Sequence, residues 1–398
     1  MAKEKLQTIY HSLCLTSVFR SVLEKPLFRA FFEYCSLDER MSFAQKSKAY
    51  AAFVAEIYQE NGSLTELVKR QVFEDENVYV KAVAKKKIVP ECVWQAVNTE
   101  LKNFSDFAAL TREDFALDLG VAADKLPAFQ SFHADMAGLY EQRLQQIDKF
   151  GYGIFSAKGM FRLSDDKQIE AIASADTIDM EAFIGYQDER MKVVQNTRAF
   201  VQGKPAANAL LCGDAGTGKS STVKAVANSF FNEGVRVIEL RKDQLSLLPL
   251  VMSKIVGNPL KFIIFIDDLS FNRSDDNFSM LKAALEGSAS AKADNAVIYA
   301  TSNRRHIIKE SFGDREGDDV HRNDTLQETL SLSERFGLVV LFSKPNKALY
   351  LQIVKELADK KGVQMEEEQL FIKAEEFALR KGNRSARCAE QFIASVLQ

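Results

Sequence analysis

Residues 213–220 read Gly-Asp-Ala-Gly-Thr-Gly-Lys-Ser, and this stretch decides the fold. It matches the phosphate-loop pattern G-x-x-x-x-G-K-[ST] at each fixed position. Glycines let successive backbone N–H groups turn toward a phosphate, and the N-terminus of the following helix adds the positive end of its dipole. We therefore expect a nucleotide to be bound by Gly213, Asp214, Ala215, Gly216, Thr217, Gly218, Lys219, Ser220 and Ser221.

The residues around this loop supply the strand and the helix that the motif requires. The apolar run Ala209–Cys212 predicts a strand that leads into the loop, and 219–231 predicts a helix that follows it. Lys219 is expected to reach the β- and γ-phosphates, and the Ser220 hydroxyl is expected to ligate Mg²⁺. A dinucleotide-binding loop would need G-x-G-x-x-G, and Ser221 stands where its third glycine should be, so that interpretation fails.

Short apolar runs alternate with helical patterns from residue 208 onward. This alternation predicts a five-stranded parallel α/β sheet with helices on both faces, and the pattern after Pro345 predicts a helical C-terminal lid. The predicted strands are Ala209–Cys212, Val235–Leu240, Phe262–Ile266, Val297–Ala300 and Leu338–Phe342, and the predicted helices are 219–231, 244–256, 277–286, 346–360, 366–380 and 384–397.

Polar side chains follow two of these strands where each one ends. Asp267 and Asp268 come directly after Phe262–Ile266, at the end of the sheet that also carries the phosphate loop. Asp267 is expected to hold Mg²⁺ through water and Asp268 to orient an attacking water; capping of the next helix is the alternative. Asn303, after the strand Val297–Ala300, is expected to hydrogen-bond the γ-phosphate and the water, although asparagine also serves turns.

The order of these motifs resembles that of the AAA+ ATPases. The resemblance implies ATP as the nucleotide and Mg²⁺ as its metal, with Asn303 as sensor 1. It also implies that Arg335, in Ser333-Glu-Arg-Phe-Gly, is an arginine finger that acts on the nucleotide of a neighbouring subunit. The chain would then form a homo-oligomer. A salt-bridging surface arginine is the alternative for Arg335.

Two further segments are similar to parts of that family. Ile184, Gly185 and Tyr186 resemble the adenine-contacting segment, and the run from Gly382 to Arg387 resembles the sensor 2 region. Arg387 fits the sensor 2 pattern best, with Arg384 as its rival. More narrowly, residues 150–398 resemble in detail a bacterial AAA+ ATP-binding family catalogued as a domain of unknown function, and residues 1–150 resemble it loosely. This resemblance implies the fold and the nucleotide and leaves the cellular task open.

One position departs from the wider AAA+ pattern. Most AAA+ proteins carry Asp-Glu where this chain has Asp267-Asp268. Aspartate is one methylene shorter than glutamate, which puts its reach to the attacking water in doubt. Slow hydrolysis is therefore one expectation.

The first 150 residues differ in character from the rest. They hold only Gly62, Gly120 and Gly138 of the 19 glycines, which predicts a mainly helical domain with few tight turns. Their phenylalanines recur at helical spacing and are expected to form a core, and the spacing of apolar residues over 122–150 predicts one long helix. Two short extended pieces, 151–155 and 159–163, are interpreted as a hairpin at the boundary. We expect four parts: a helical N-terminal domain (1–150), a linker with the adenine-contacting lead-in (151–207), the ATPase core (208–345) and the lid (346–398).

Charge and composition limit the partners. Lys plus Arg total 52 against 55 Asp plus Glu, giving a net charge of -3, which disfavours a basic nucleic-acid binder. The basic runs Arg304-Arg305-His306 and Lys85-Lys86-Lys87 keep helicase-loader-like DNA binding as a less favoured alternative. No apolar stretch approaches the roughly 20 residues of a membrane span, and the five dispersed cysteines are typical of a reducing compartment, so a cytoplasmic protein without a membrane partner is expected.

Two functions follow from these observations. The first is an ATP-hydrolysing machine that remodels an unknown protein or nucleoprotein partner. The alternative is a nucleotide-gated binding or loading module with little hydrolysis, which the Asp268 departure favours slightly.

Overall fold

The computed structural model describes residues 2–37, 42–172, 180, 183–269, 281–282, 285, 293–303 and 335–397. Contacts divide the chain into two compact units, Met1–Ala157 and Lys158–Gln398. No helix in the part of the chain just defined is long and apolar enough to cross a membrane.

The N-terminal unit is built from short, well-capped helices. The side chains of Ser42, Ser63, Asn77 and Thr111 each accept a hydrogen bond from a backbone N–H of the first helical turn. Such caps satisfy donors that a helix leaves unpaired at its start. The described helices are α1 (Ala2–Cys14), α2 (Pro26–Ser36), α3 (Phe43–Tyr58), α4 (Leu64–Phe73), α5 (Val78–Ala84), α6 (Glu91–Ala108), α7 (Arg112–Leu119), α8 (Met136–Gln145) and α9 (Ile147–Phe150).

Most phenylalanines of this unit lie in or against its core, as their spacing predicted. Edge-to-face ring pairs hold several of them together; Phe31 and Phe107, for example, have ring centroids 4.8 Å apart. The fully buried rings are Phe19, Phe28, Phe31, Phe53, Phe104, Phe107 and Phe115. Partly buried rings pack against them at Phe32, Phe73 and Phe129, and exposed rings stand at Phe43, Phe132 and Phe150.

The long helix predicted over 122–150 is wrong in its first half, because only a short 3-10 helix (Ala123–Lys125) forms there and α-helical structure resumes at α8. Pro127 has no backbone N–H to donate within a helix and disfavours helical backbone before it. Tertiary hydrogen bonds occupy the backbone instead. The N–H of Gln130 donates to the carbonyl oxygen of Gly62 at 2.8 Å, and the carbonyl oxygen of Gln130 accepts from the N–H of Leu64 at 2.9 Å.

The second unit contains the predicted parallel sheet, which confirms the α/β fold class. All five predicted strands are present, and each pairs in parallel with its neighbours. The described sheet has seven strands in the order β2-β1-β4-β5-β6-β3-β7. They are β1 (Met160–Leu163), β2 (Ile169–Ala171), β3 (Ala209–Gly213), β4 (Val235–Leu240), β5 (Lys261–Ile266), β6 (Ala296–Ser302) and β7 (Leu338–Phe342).

The two additional strands correct the predicted boundary hairpin. The first predicted piece contains a short 3-10 helix, Gly153–Phe155, rather than a strand. The second piece does form β1, but its antiparallel partner is β2, which follows it in the chain. β1 also pairs in parallel with β4, so the sheet extends beyond the five predicted strands. β1 gains backbone hydrogen bonds by pairing with β4, which lies about 75 residues later in the chain. The local sequence pattern around residue 160 does not reveal this pairing.

Helices surround the sheet and continue into the C-terminal segment. The predicted helix 244–256 is a 3-10 helix (Lys242–Leu247) followed by an α-helix, and most of the predicted helix 277–286 lies outside the described residues. The three C-terminal helices pack around their own apolar cluster, which includes Tyr350, Leu370 and Phe392. The described helices are α10 (Gln187–Val201), α11 (Lys219–Ser229), α12 (Leu248–Ile255), α13 (Lys347–Lys361), α14 (Glu367–Lys381) and α15 (Ala386–Val396).

Candidate functional site

The phosphate loop connects β3 to α11 in a conformation that requires glycine. Gly213, Gly216 and Gly218 have φ angles of +137°, +77° and +84°, which other residues rarely adopt. A Cβ atom at Gly213 would lie 2.0 Å from the carbonyl oxygen of Phe342 in β7. The glycine therefore allows two neighbouring strands to approach at the point where the loop begins.

Two side chains of the phosphate loop stabilise its conformation through hydrogen bonds. The Thr217 hydroxyl donates to the carbonyl oxygen of Asp214 at 2.9 Å, and Thr217 is buried. The Asp214 carboxylate accepts from the backbone N–H of Lys344 at 2.9 Å. Since Asp214 is engaged with the chain after β7, its carboxylate contributes to loop geometry.

The Lys219 ammonium lies inside the loop. It donates to the carbonyl oxygens of Gly213 at 3.0 Å and Asp214 at 2.7 Å, and to the Oδ1 atom of Asn303 at 3.0 Å. Lys219 is only 5% exposed. This burial lowers the pKa of Lys219, and the nearby Asp214 carboxylate opposes that shift. A buried ammonium held by neutral acceptors is well placed to meet a phosphate.

Oxygen atoms gather beside the first turn of α11. The Ser220 hydroxyl donates to the Oδ1 atom of Asp267 at 2.6 Å, and the Thr301 hydroxyl donates to the same oxygen at 2.5 Å. Carboxylate and hydroxyl oxygens are hard donors that suit Mg²⁺, which usually binds proteins through one or two carboxylates and keeps water ligands. Ser220 and Asp267 therefore fit the metal that the sequence predicted for them.

Asp268 and Asn303 complete a continuous hydrogen-bond chain. The Asn303 amide donates to the Oδ1 atom of Asp268 at 2.8 Å and accepts from Lys219 at 3.0 Å. The backbone N–H of Asp268 donates to the hydroxyl of Thr301 at 3.0 Å, which fixes a residue whose φ is +50°. The strand ends of β5 and β6 are thus tied to the phosphate loop.

A cavity of about 400 Å³ opens beside the loop. One wall is formed by 216–221 and another by Asp267 and Asn303. The third wall belongs to the C-terminal helices, where Leu357 is apolar and Arg387 is basic. This volume falls in the range of roughly 300–1,000 Å³ that small-molecule sites occupy, and the polar and apolar walls suit a molecule with phosphates and a base.

The predicted adenine-contacting residues lie in different environments. Ile184 is buried and lines the cavity. Tyr186 is the N-cap residue of α10, and its hydroxyl donates to the carbonyl oxygen of Ser343 at 2.7 Å. Tyr186 and Gly185 line a separate surface depression near Lys344. Of the three predicted residues, only Ile184 lines the cavity.

The structure distinguishes the two arginines considered for sensor 2. The Arg384 guanidinium donates to both carboxylate oxygens of Glu375, at 2.9 and 2.8 Å. Arg387 lines the cavity, and its backbone N–H lies 3.5 Å from the carbonyl oxygen of Gly216. The geometry therefore favours Arg387 over Arg384 as the cavity-facing arginine.

The remaining sequence-predicted positions are only partly described. Arg335 is half-buried and directly precedes the buried Phe336, which lies two residues before β7. It does not line the cavity of its own chain. Ser333, Glu334 and the basic run 304–306 lie outside the described residues.

Sequence analysis missed two residues of the site. Thr301 carried a signal, because it ends the strand before Asn303, and the structure shows it bonded to Asp267. No sequence signal marks Arg190 as a site residue, because a single arginine in a helix is common. It is 6% exposed and lines the cavity, and its burial lowers the pKa of its guanidinium to about 10.

Comparison with known proteins gives a family match and distant structural likenesses. A family model described as "Protein of unknown function (DUF815)" matches residues 156–398. The Thermotoga maritima RuvB Holliday junction branch migration motor is similar at 14% identity, over 55% of this chain and 71% of that chain, with a TM-score of 0.33. A Pro-to-Gly variant of it gives 12% identity, 55% and 72% coverage and a TM-score of 0.35. At such scores the likeness says nothing about the function of this chain. No curated protein matches the sequence.

Proposed function

The chain belongs to the protein family of unknown function DUF815, and we propose that it binds ATP with Mg²⁺ and hydrolyses ATP to ADP and phosphate. One observation carries the proposal. The buried Lys219 ammonium, the Asn303 amide and the Asp268 carboxylate form one hydrogen-bond chain, and the first two of these residues line the cavity. This chain joins a phosphate-facing cation to a carboxylate that can receive a water molecule.

Each group of the cavity has a distinct task in this reaction. The loop N–H groups and Lys219 bind the phosphates. Ser220 and Asp267 would hold Mg²⁺, which would supply positive charge to neutralise the phosphates. Asp268 accepts a hydrogen bond from the water that attacks the γ-phosphorus, and Asn303 fixes the water and the γ-phosphate. The bond to the ADP oxygen breaks, the phosphate leaves with the oxygen and one proton of the water, and the other proton passes through Asp268 to solvent.

We propose further that hydrolysis drives remodelling of a protein or nucleoprotein partner by a homo-oligomer. Arg335 is the residue that would complete the site of a neighbouring subunit, and Arg387 would connect the lid (346–398) to the nucleotide held by the core (208–345). A net charge of -3 favours a protein partner over a nucleic acid.

A second candidate is a nucleotide-gated binding module with little hydrolysis. Asp268 favours it, because its short carboxylate is already engaged by the Asn303 amide at 2.8 Å. In this candidate, bound ATP sets the position of the lid, and the chain holds its partner until the nucleotide leaves.

Single-turnover hydrolysis separates the two candidates. Protein in excess over γ-labelled ATP is sampled over time for wild type, Asp268→Asn and Asp268→Glu. The hydrolysing machine predicts that wild type converts its ATP while Asp268→Asn binds ATP and keeps it intact. If wild type retains intact ATP and Asp268→Glu converts it faster, the result would favour the nucleotide-gated binding module over the hydrolysing machine. Failure of wild type to bind ATP would reject both candidates.

A trapped partner tests the remodelling role. Tagged Asp268→Asn, held with ATP, is expected to retain a partner that wild type releases. Lys219→Ala is the matched control, since it should neither bind ATP nor retain that partner. Equal recovery of every protein by both variants would contradict ATP-dependent remodelling.

A further inference from the structure

Arg190 of α10 is a buried cation at the junction of two walls of the cavity. Its Nη1 atom donates to the carbonyl oxygen of Gly185, and its Nη2 atom lies 3.5 Å from the carbonyl oxygen of Ile184. The guanidinium carbon stands 4.5 Å from the centre of the Phe183 ring. These contacts fix the guanidinium without supplying a negative charge.

Among the residues that the structure describes, Arg190 has no direct ion pair, although the nearby Glu189 carboxylate favours its charged form. The Nε atom is buried and has no hydrogen-bond partner there, and no described carboxylate forms an ion pair with the side chain. Arg190 is nevertheless 94% buried by its 6% exposure. A buried charge without a direct ion pair and an unpaired buried donor each cost free energy, and an anion bound at Arg190 would offset both costs.

The position of Arg190 indicates which class of anion it would bind. A Cβ atom added at Gly218 would lie 3.9 Å from Nη2 of Arg190, and Gly218 precedes the first residue of α11. Helix N-termini that follow glycine loops bind phosphates. Ile184, whose carbonyl oxygen lies 3.5 Å from the same Nη2 atom, and Ile353 line the cavity with apolar side chains that suit a base. The guanidinium therefore lies close both to the start of α11, which suits phosphates, and to an apolar lining residue of the cavity.

We propose that Arg190 is a further nucleotide-binding residue, which donates to the phosphates nearest the ribose of a bound nucleoside polyphosphate. This inference rests on the proposed nucleotide site. It differs from the role proposed for Arg387, because Arg190 addresses phosphates that ATP and ADP share. Its carbonyl contacts to Ile184 and Gly185 hold the guanidinium in place for that role.

The test compares ligand affinities of Arg190→Met and Arg190→Lys with those of wild type. Calorimetry measures ADP directly and inorganic pyrophosphate by displacement of ADP. Arg190→Met keeps the length of the side chain but removes its charge and donors, and should bind both ligands about 10- to 100-fold more weakly, the range expected for a charge-assisted hydrogen bond. Arg190→Lys keeps the charge and should recover part of the affinity for both ligands.

A second arginine of the same helix provides the matched control. Arg198 is exposed and stands over the Phe230 ring at 5.9 Å, away from the residues that line the cavity. Arg198→Met should bind ADP and pyrophosphate as wild type does. Thermal unfolding without ligand establishes that each variant is folded before affinities are compared.

The outcomes separate this inference from the proposed function. If wild type binds ATP and ADP but Arg190→Met binds pyrophosphate with unchanged affinity, Arg190 acts only on the base-contacting turn, and the inference is overturned while the nucleotide site stands. If Arg190→Lys is as weak as Arg190→Met for pyrophosphate, charge is not what Arg190 supplies, and the inference also fails. If wild type binds no nucleotide at all, the proposed function itself has failed.

Discussion

The Lys219 ammonium donates a hydrogen bond of 3.0 Å to the Oδ1 atom of Asn303. These residues stand at the ends of two adjacent strands, since β3 leads into the phosphate loop and β6 ends beside Asn303. The amide of Asn303 in turn donates to Asp268, which follows β5. One hydrogen-bond chain, from Lys219 through Asn303 to Asp268, therefore joins three strand ends. We expect a phosphate that binds Lys219 to change the hydrogen bonding of Asp268 through Asn303.

Removal of the Lys219 ammonium should abolish measurable ATP binding. Lys219→Ala removes the charge that faces the β- and γ-phosphates and leaves the loop backbone in place. Titration with a fluorescent ATP analogue measures the loss. Lys224→Ala is the control on the same helix, because Lys224 pairs with Glu239 at 3.5 Å instead of entering the loop. Unchanged affinity in folded Lys219→Ala would mean that the phosphate loop is not the binding site.

Loss of Arg387 should weaken ATP binding more than ADP binding. Its guanidinium lines the cavity and is expected to address the terminal phosphate, with a loss of about tenfold or more for ATP. Arg384→Ala should affect both nucleotides little, because Arg384 is bound to Glu375. The ratio of ATP to ADP dissociation constants in each variant measures the difference. A larger ATP-specific loss in Arg384→Ala would reverse the assignment.

A methyl group at Gly213 should destabilise the second unit strongly. The added Cβ would meet the carbonyl oxygen of Phe342 at 2.0 Å, so β3 and β7 would have to separate. We expect a cost of about 3 kcal/mol or more, at or above the usual range for overpacking. Gly203→Ala is the control with φ of +69° and open space around it, for which backbone strain alone predicts about 1–2 kcal/mol.

Thermal unfolding followed at several wavelengths compares these two glycine variants. A melting temperature of Gly213→Ala at or above that of Gly203→Ala would show that the close approach of β3 and β7 is wrong.

Arg335 should be needed for turnover but not for binding. An arginine finger contributes about 10³- to 10⁵-fold to turnover in related phosphoryl-transfer reactions and little to ground-state binding. Arg335→Ala should therefore keep its ATP affinity while phosphate release collapses. A mixture of Arg335→Ala and Lys219→Ala should recover part of the activity, because each subunit supplies what its neighbour lacks.

Dependence of specific activity on protein concentration is the control for that mixture. Activity should rise as subunits assemble. A monomeric wild type whose turnover is independent of concentration, together with no recovery in the mixture, would exclude Arg335 as a finger acting between subunits.

The sequence predicted correctly those features of the fold that depend on residues close together in the chain. The phosphate loop and the five central strands are encoded locally, by fixed glycines and by short apolar runs such as Phe262–Ile266. The helix predicted near residue 126 fails because Gln130 pairs with the distant Gly62 and Leu64. The pairing of β1 with β4 escaped prediction for the same reason, since both depend on contacts between residues far apart in the chain.

The candidate site shows the same limit. Lys219, Ser220, Asp267 and Asn303 belong to motifs, and the structure brings them together. The choice between Arg384 and Arg387 needed the position of Glu375, which no local pattern gives. Arg190 could be identified as a site residue only from its burial and its contacts in the structure, because its position in a helix alone does not distinguish it from an exposed arginine.

Steady-state phosphate release tests the central claim most directly. Purified wild type is incubated with ATP and Mg²⁺, and the phosphate formed is measured over time beside Lys219→Ala and beside wild type with a chelator in excess over Mg²⁺. We predict continuous release by wild type, at a low rate, and none above background in the other two samples. Release by Lys219→Ala equal to that of wild type, or none by a wild type shown to bind ATP and to assemble, would contradict an ATPase built on this loop.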